Sequence, residues 1–188
     1  MKTVVYVPGF FLQVSKSLDI KKEFEKMGCK AFLFDAGINV GDIKTTATEL
    51  NDFIEEVCSK NESENVTLLG YSLGGLISCS YFRDLNGRDR ANKIITVATP
   101  FAGTSLAYAG AIFKSARQML PKCDFLHNLM HENDFSKNVV SIYAGNDKLI
   151  RPVSSCILDG AKNIEIPNVG HLDILQSQKT WDVIRSEM

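Results

Sequence analysis

No apolar stretch in this chain approaches the ~18 residues that a membrane-spanning helix needs. The opening segment, MKTVVYVPGFFL, is too soon interrupted for a leader. Pro8-Gly9 breaks its apolar run and no small-residue cleavage site follows, so it reads as a first strand and turn. Neither sign of charge dominates: 21 Lys+Arg stand against 22 Asp+Glu, a formal net charge of -1. That excludes a basic footprint for nucleic acid and a polybasic membrane patch. Cysteine occurs five times, an odd number at wide spacings with no CxxC pair. A disulfide framework and a zinc site are thereby disfavoured, and reduced thiols in a cytoplasmic protein are expected. Internal repeats, low-complexity tracts and an interdomain linker are also missing.

What remains is an ordinary globular composition. The 188 residues suit a single domain over 1–188, and 45% of them are hydrophobic, enough for a core without staples. Strand-like and helix-like segments alternate along the chain. The apolar runs 3–7, 30–34, 65–69, 93–98, 139–144 and 163–166 predict six strands. Helices are predicted over 15–27, 42–59, 73–85 and 173–185, with Gly28 stopping the first. The strands are continuously apolar, as expected where both faces of a sheet are covered. The fold class is therefore α/β: three layers, with a mostly parallel six-stranded sheet between helices. One segment breaks the rhythm. Residues 101–137 exceed a simple crossover, and their apolar residues predict a helical, cap-like insert over the strand ends.

Gly70-Tyr71-Ser72-Leu73-Gly74 matches G-x-S-x-G. Chance alone puts such a match in a chain of this length roughly one time in twenty. Context adds weight, because the motif ends an apolar strand and opens a helix, as a strained strand-to-helix elbow requires. An ordinary N-capping serine is the plain alternative. A serine hydroxyl needs a base, and only His127, His131 and His171 are present. His171 follows the last predicted strand, whereas His127 and His131 fall in the irregular insert and read as exposed helical residues. The base needs an acid to fix its tautomer. Asp147, just after the fifth strand, is the candidate, with Asp35 its main rival; Asp173 is too near His171 in sequence. The order Ser72, Asp147, His171 is the one that the elbow motif calls for. A developing oxyanion needs backbone donors. Leu73 N–H at the start of the helix is one candidate, and Phe10 N–H in the loop after the first strand is the other.

With these pieces in place the chain resembles the α/β-hydrolase superfamily, and within it the small lipases and esterases. The matching segments are VPGF, GYSLGG, ATPFAGTSLA, GNDKLIRP and NVGHLDIL, in that order from about Val4 to Leu175. The resemblance implies a minimal, nearly lidless fold that lacks the superfamily's first two strands. Three positions depart from the lipase pattern, which often has histidine at each: Pro8, Tyr71 and Phe101. The implied activity is hydrolysis of a small-molecule carboxylic ester through an acyl-enzyme on Ser72. An acyl thioesterase or acyltransferase on the same site is the alternative, and a non-catalytic binding protein on this fold is a third reading. No cofactor, metal, nucleic acid or integral membrane segment is expected.

Overall fold

Six apolar runs form six strands: β1 (Thr3–Val7), β2 (Lys30–Leu33), β3 (Val66–Tyr71), β4 (Ala91–Val97), β5 (Val139–Ala144) and β6 (Lys162–Ile166). The computed structural model describes residues 1–12, 17–85, 87–131 and 134–188. All neighbouring strands pair in parallel, in the order β2-β1-β3-β4-β5-β6. Successive side chains enter opposite cores, as a two-residue period demands. Val5, Val7, Leu68 and Ile94 join one buried cluster; Val4, Tyr6, Leu69 and Ile95 join the other. The first cluster is closed by α2 (Ile43–Asn61) and α3 (Leu73–Asp84), the second by α1 (Leu18–Lys26) and α6 (Gln178–Glu187). This is the three-layer α/β architecture.

The helices follow local rules. Asp42 caps α2: its side chain accepts from the N–H groups of Lys44 and Thr45 at 2.8 and 3.2 Å, a contribution of about 1 kcal/mol. Ile43, Ala47, Leu50, Ile54 and Val57 then recur on its buried face. Gly28 follows α1 with φ of 73°, a turn that glycine adopts freely.

Some boundaries differ from expectation. β3 runs on to Tyr71, so Gly70 and Tyr71 are ladder residues opposite Thr96 and Val97. α1 begins at Leu18, and the Ser15 start expected for it lies outside the described residues. The helix expected over 173–185 is two pieces, a 3-10 turn at Ile174–Gln176 and then α6. Ser177 between them is extended (φ -76°, ψ 124°), and Trp181 Nε1 donates to Leu175 O at 2.8 Å across the break. Within 101–137 the helical expectation holds as short turns: a 3-10 segment Ser105–Gly110, α4 (Lys114–Arg117), α5 (Asp124–Met130) and a 3-10 segment Asp134–Asn138.

The strand order reverses direction at β1 and β3. In open α/β sheets the crevice outside the carboxyl ends of such a pair receives ligands. Pro8-Gly9 leaves β1 and Ser72 leaves β3 at this point. Their closeness is steric. A Cβ on Gly74 would lie 2.0 Å from the Val7 carbonyl oxygen, and one on Gly75 would lie 2.0 Å from Thr99 Oγ1. We predict that Gly74→Ala costs at least about 3 kcal/mol, because backbone must move to admit the methyl group. Gly41→Ala, with nothing within 4 Å, is expected to stay within about 0.5 kcal/mol. Urea denaturation midpoints of the two variants measure the difference.

Candidate active site

Strand β3 hands the chain to α3 through Ser72, whose backbone is held at φ 53° and ψ -120°. A non-glycine residue there is strained, and strain of this kind persists only where its surroundings hold it. Ser72 N–H donates to Val97 O at 2.7 Å, and Ser72 O accepts from Thr99 Oγ1 at 3.0 Å and from Gly75 N–H at 3.0 Å. The elbow is thus tied to β4 and to the loop that follows it.

Asp147 follows β5 and His171 follows β6. His171 Nδ1 donates to Asp147 Oδ2 at 2.7 Å, and both side chains are buried. The other oxygen, Oδ1, accepts from the N–H groups of Leu149 and Ile150 at 2.8 Å each. Burial alone pushes this carboxyl up. The bond to His171, its charge, and the Ile150 and Leu149 amides outweigh that and bring it below its ordinary value. An ionised acceptor at Nδ1 makes that nitrogen the donor and leaves the Nε2 lone pair free.

Ser72 and His171 line one pocket of about 600 Å³. Among the described residues no hydrogen bond joins the Ser72 hydroxyl to the His171 ring. Such contacts often tighten only when substrate binds. The pocket's remaining wall is apolar, with Phe10, Ala107, Phe113, Met119 and Ile150 prominent. Residues 101–137 supply much of it. Leu73 N–H, the first of α3, and Phe10 N–H donate to no protein acceptor among the described residues. A Cβ on Gly9, next to Phe10, would come within 3.1 Å of Ser72 Cβ. Both candidate oxyanion donors therefore border Ser72.

The rival acid Asp35 is exposed and accepts from Gly37 N–H in a local turn. His127 and His131 are exposed on α5 and at its end, with rings 6.2 Å apart. Asp173 is exposed beside the base loop. Among the described residues no cluster of three or more His, Cys, Asp or Glu has metal-holding geometry.

Two further contributors lie in segments that the sequence marks, but nothing in the sequence marks the bonds they make. Tyr71 Oη donates to the backbone carbonyl of His171 at 2.8 Å. Burial, reinforced by Tyr6, Asp147 and Asp173, pushes its phenol up, so it remains a donor. Thr104 Oγ1 donates to Leu149 O at 2.7 Å and accepts from Arg151 N–H at 3.0 Å, which braces the Asp147 loop. Position 71 is visible in the elbow motif, but its partner lies 100 residues away.

The family model described as the alpha/beta hydrolase fold matches residues 2–136. The chain belongs to the α/β-hydrolase family. Solved structures agree on the fold. The Bacillus licheniformis lipase BlEst2 in mature form superposes with a TM-score of 0.83 at 17% identity, over 99% of this chain and 91% of that chain. Aspergillus fumigatus lipase B gives 0.82 at 20% identity, over 96% of this chain and 50% of that one. A bromoperoxidase from Bacillus anthracis gives 0.72 at 14% identity, over 100% and 92%. At these identities the likeness is one of fold. Ser72 and Phe10 lie inside the family match, while Asp147 and His171 lie beyond it.

The lowered Asp147 carboxyl has a consequence for stability. A carboxyl held below its unfolded value, near 3.9, favours the folded state above that value. The benefit is lost as pH falls through the lower folded value. We expect the stability gap between this protein and its Asp147→Asn variant to be widest near neutrality and to narrow below about pH 4. Urea unfolding from pH 7 to 2.5 measures it; a gap that widens toward acid contradicts the assignment.

Proposed function

We propose that the chain is a single cytoplasmic α/β-hydrolase domain that cleaves small-molecule carboxylic esters through an acyl-enzyme on Ser72. One observation carries this reading. His171, paired with buried Asp147 at 2.7 Å, and a strained Ser72 border the same apolar pocket. The five unpaired cysteines support a reducing compartment. Among the described residues no helix is long and apolar enough to cross a membrane.

In this mechanism His171 Nε2 takes the Ser72 proton as Oγ attacks the ester carbonyl carbon. Negative charge moves onto the carbonyl oxygen, where the Phe10 and Leu73 N–H groups and the α3 dipole stabilise it. The intermediate collapses, the bond to the alcohol breaks, and His171 returns its proton to the departing oxygen. Water then repeats the sequence against the acyl-enzyme, releasing the acid and restoring Ser72. Asp147 holds the imidazole tautomer and balances the charge of the imidazolium. The apolar wall suits the acyl portion, and residues 101–137 act as pocket wall in this reading. No nucleic acid, metal or cofactor enters it.

Ser72→Ala is expected to abolish p-nitrophenyl ester hydrolysis, by at least about 10³-fold, and to abolish labelling by a fluorophosphonate probe. Full retained activity in the folded variant would sink the reading. Asp147→Asn is expected to lower kcat by about 10⁴-fold with little change in KM. A panel of esters and acyl thioesters sets the substrate class: strong preference for thioesters replaces ester hydrolysis with thioester hydrolysis on the same residues.

A further inference from the structure

We infer that Asn39 is a positioning residue of the oxyanion hole, turning the Gly9–Phe10 peptide so that the Phe10 N–H faces the Ser72 hydroxyl. The inference rests on the reading of Ser72 as the acylated nucleophile.

Asn39 lies in the turn after β2, about thirty residues from the loop it touches, and is buried. Its Nδ2 donates to the Pro8 carbonyl at 2.9 Å and to the Gly9 carbonyl at 3.5 Å. Leu12 N–H donates to the same Gly9 oxygen at 3.3 Å. The Gly9 carbonyl and the Phe10 N–H belong to one peptide plane. In a trans peptide the two point in opposite directions. Two donors that hold the oxygen on the Asn39 side leave the N–H directed the other way. The loop lies against the elbow: a Cβ on Gly9 would come within 3.1 Å of Ser72 Cβ and of the Tyr71 carbonyl oxygen.

The residue type fits the task. Both acceptors are carbonyls, so the group between them must be a donor only, which an amide NH₂ supplies and a carboxylate does not. The backbone of Asn39 has φ of 54°, a region asparagine tolerates better than most residues. Its own groups are also engaged: N–H donates to Ala36 O at 3.1 Å, and its carbonyl accepts from Ser115 Oγ at 3.3 Å. Phe11 N–H donates to Ile38 O at 3.0 Å beside it. Ser115 sits in α4, so Asn39 joins the oxyanion loop to the pocket wall.

The test uses Asn39→Asp, which keeps the shape and removes the donor, and Asn39→Gly, which removes the side chain and suits a positive φ. Each variant is assayed for kcat and KM on p-nitrophenyl butyrate, for inhibition by an alkylboronic acid, and for its melting temperature. The boronate forms a tetrahedral adduct on serine and so reports the oxyanion hole directly. We expect kcat to fall about 10- to 100-fold with KM within about twofold, and boronate affinity to fall by a similar factor. Unchanged kcat and boronate affinity in a folded variant overturn the inference. So does a loss of kcat that tracks lowered melting temperature while boronate affinity holds, or failure of both variants to fold, since each marks a purely structural residue. If the parent protein itself is not labelled at Ser72 by a fluorophosphonate, the hydrolase reading fails and this inference falls with it.

Discussion

The Val7 carbonyl oxygen occupies the place where a side chain at position 74 would be. This contact between the end of β1 and the first turn of α3 governs the geometry above the sheet. It holds the elbow close to the loop that leaves β1, where a Cβ on Gly9 would come within 3.1 Å of Ser72 Cβ. Gly75 against Thr99 repeats the constraint on the β4 side. With α3 clamped from two directions, Ser72 has no relaxed backbone conformation available, and its positive φ follows from the packing. The cost of that strain is of order 1–3 kcal/mol. Burial of Leu73, Leu76 and Ile77 is large enough to offset it, at about 1.5–3 kcal/mol for each fully buried side chain.

Polar order and apolar order divide the site between them. The loops of the candidate acid and base are held by hydrogen bonds: Asp147 by two backbone amides and His171, His171 by the Tyr71 phenol, and the neighbouring Leu149 carbonyl by Thr104. The pocket beside them is held by packing, with Phe10, Phe11 and Phe113 meeting edge to face at centroid distances of 4.5 to 5.9 Å. Substitutions in the aromatic wall therefore reshape the cavity without touching the bonds that orient His171. Tyr71 crosses the divide, lining the pocket with its ring and bonding the base loop with its hydroxyl.

Much of this arrangement was legible in the sequence because the determinants are local. Short apolar runs bounded by glycine, proline or polar turn residues mark strands, and six such runs located the sheet. Ser72, Asp147 and His171 were readable as candidates since each follows a strand, and in a parallel sheet strand ends share one edge. Asn39 was not readable. It lies in an unremarkable turn, and its meaning comes from folding back onto Pro8 and Gly9. Tyr71 was visible only as a departure from a lipase pattern, because its partner is a backbone carbonyl and carries no residue identity. The break at Ser177 was also hidden: the 173–185 periodicity is helical, and the interruption depends on the indole of Trp181 reaching back to Leu175.

The strand order carries a consequence in time as well as in space. From β3 onward the sheet grows at one edge in chain order, through β4, β5 and β6. A polypeptide synthesised from its amino end therefore holds every segment of the elbow, both candidate oxyanion loops and the β1–β3 seam before Asp147 exists, and Asp147 before His171. A single domain generally folds as a unit. A chain that has not yet reached His171 therefore carries Ser72 without its candidate base, and an unassisted serine hydroxyl is a weak nucleophile.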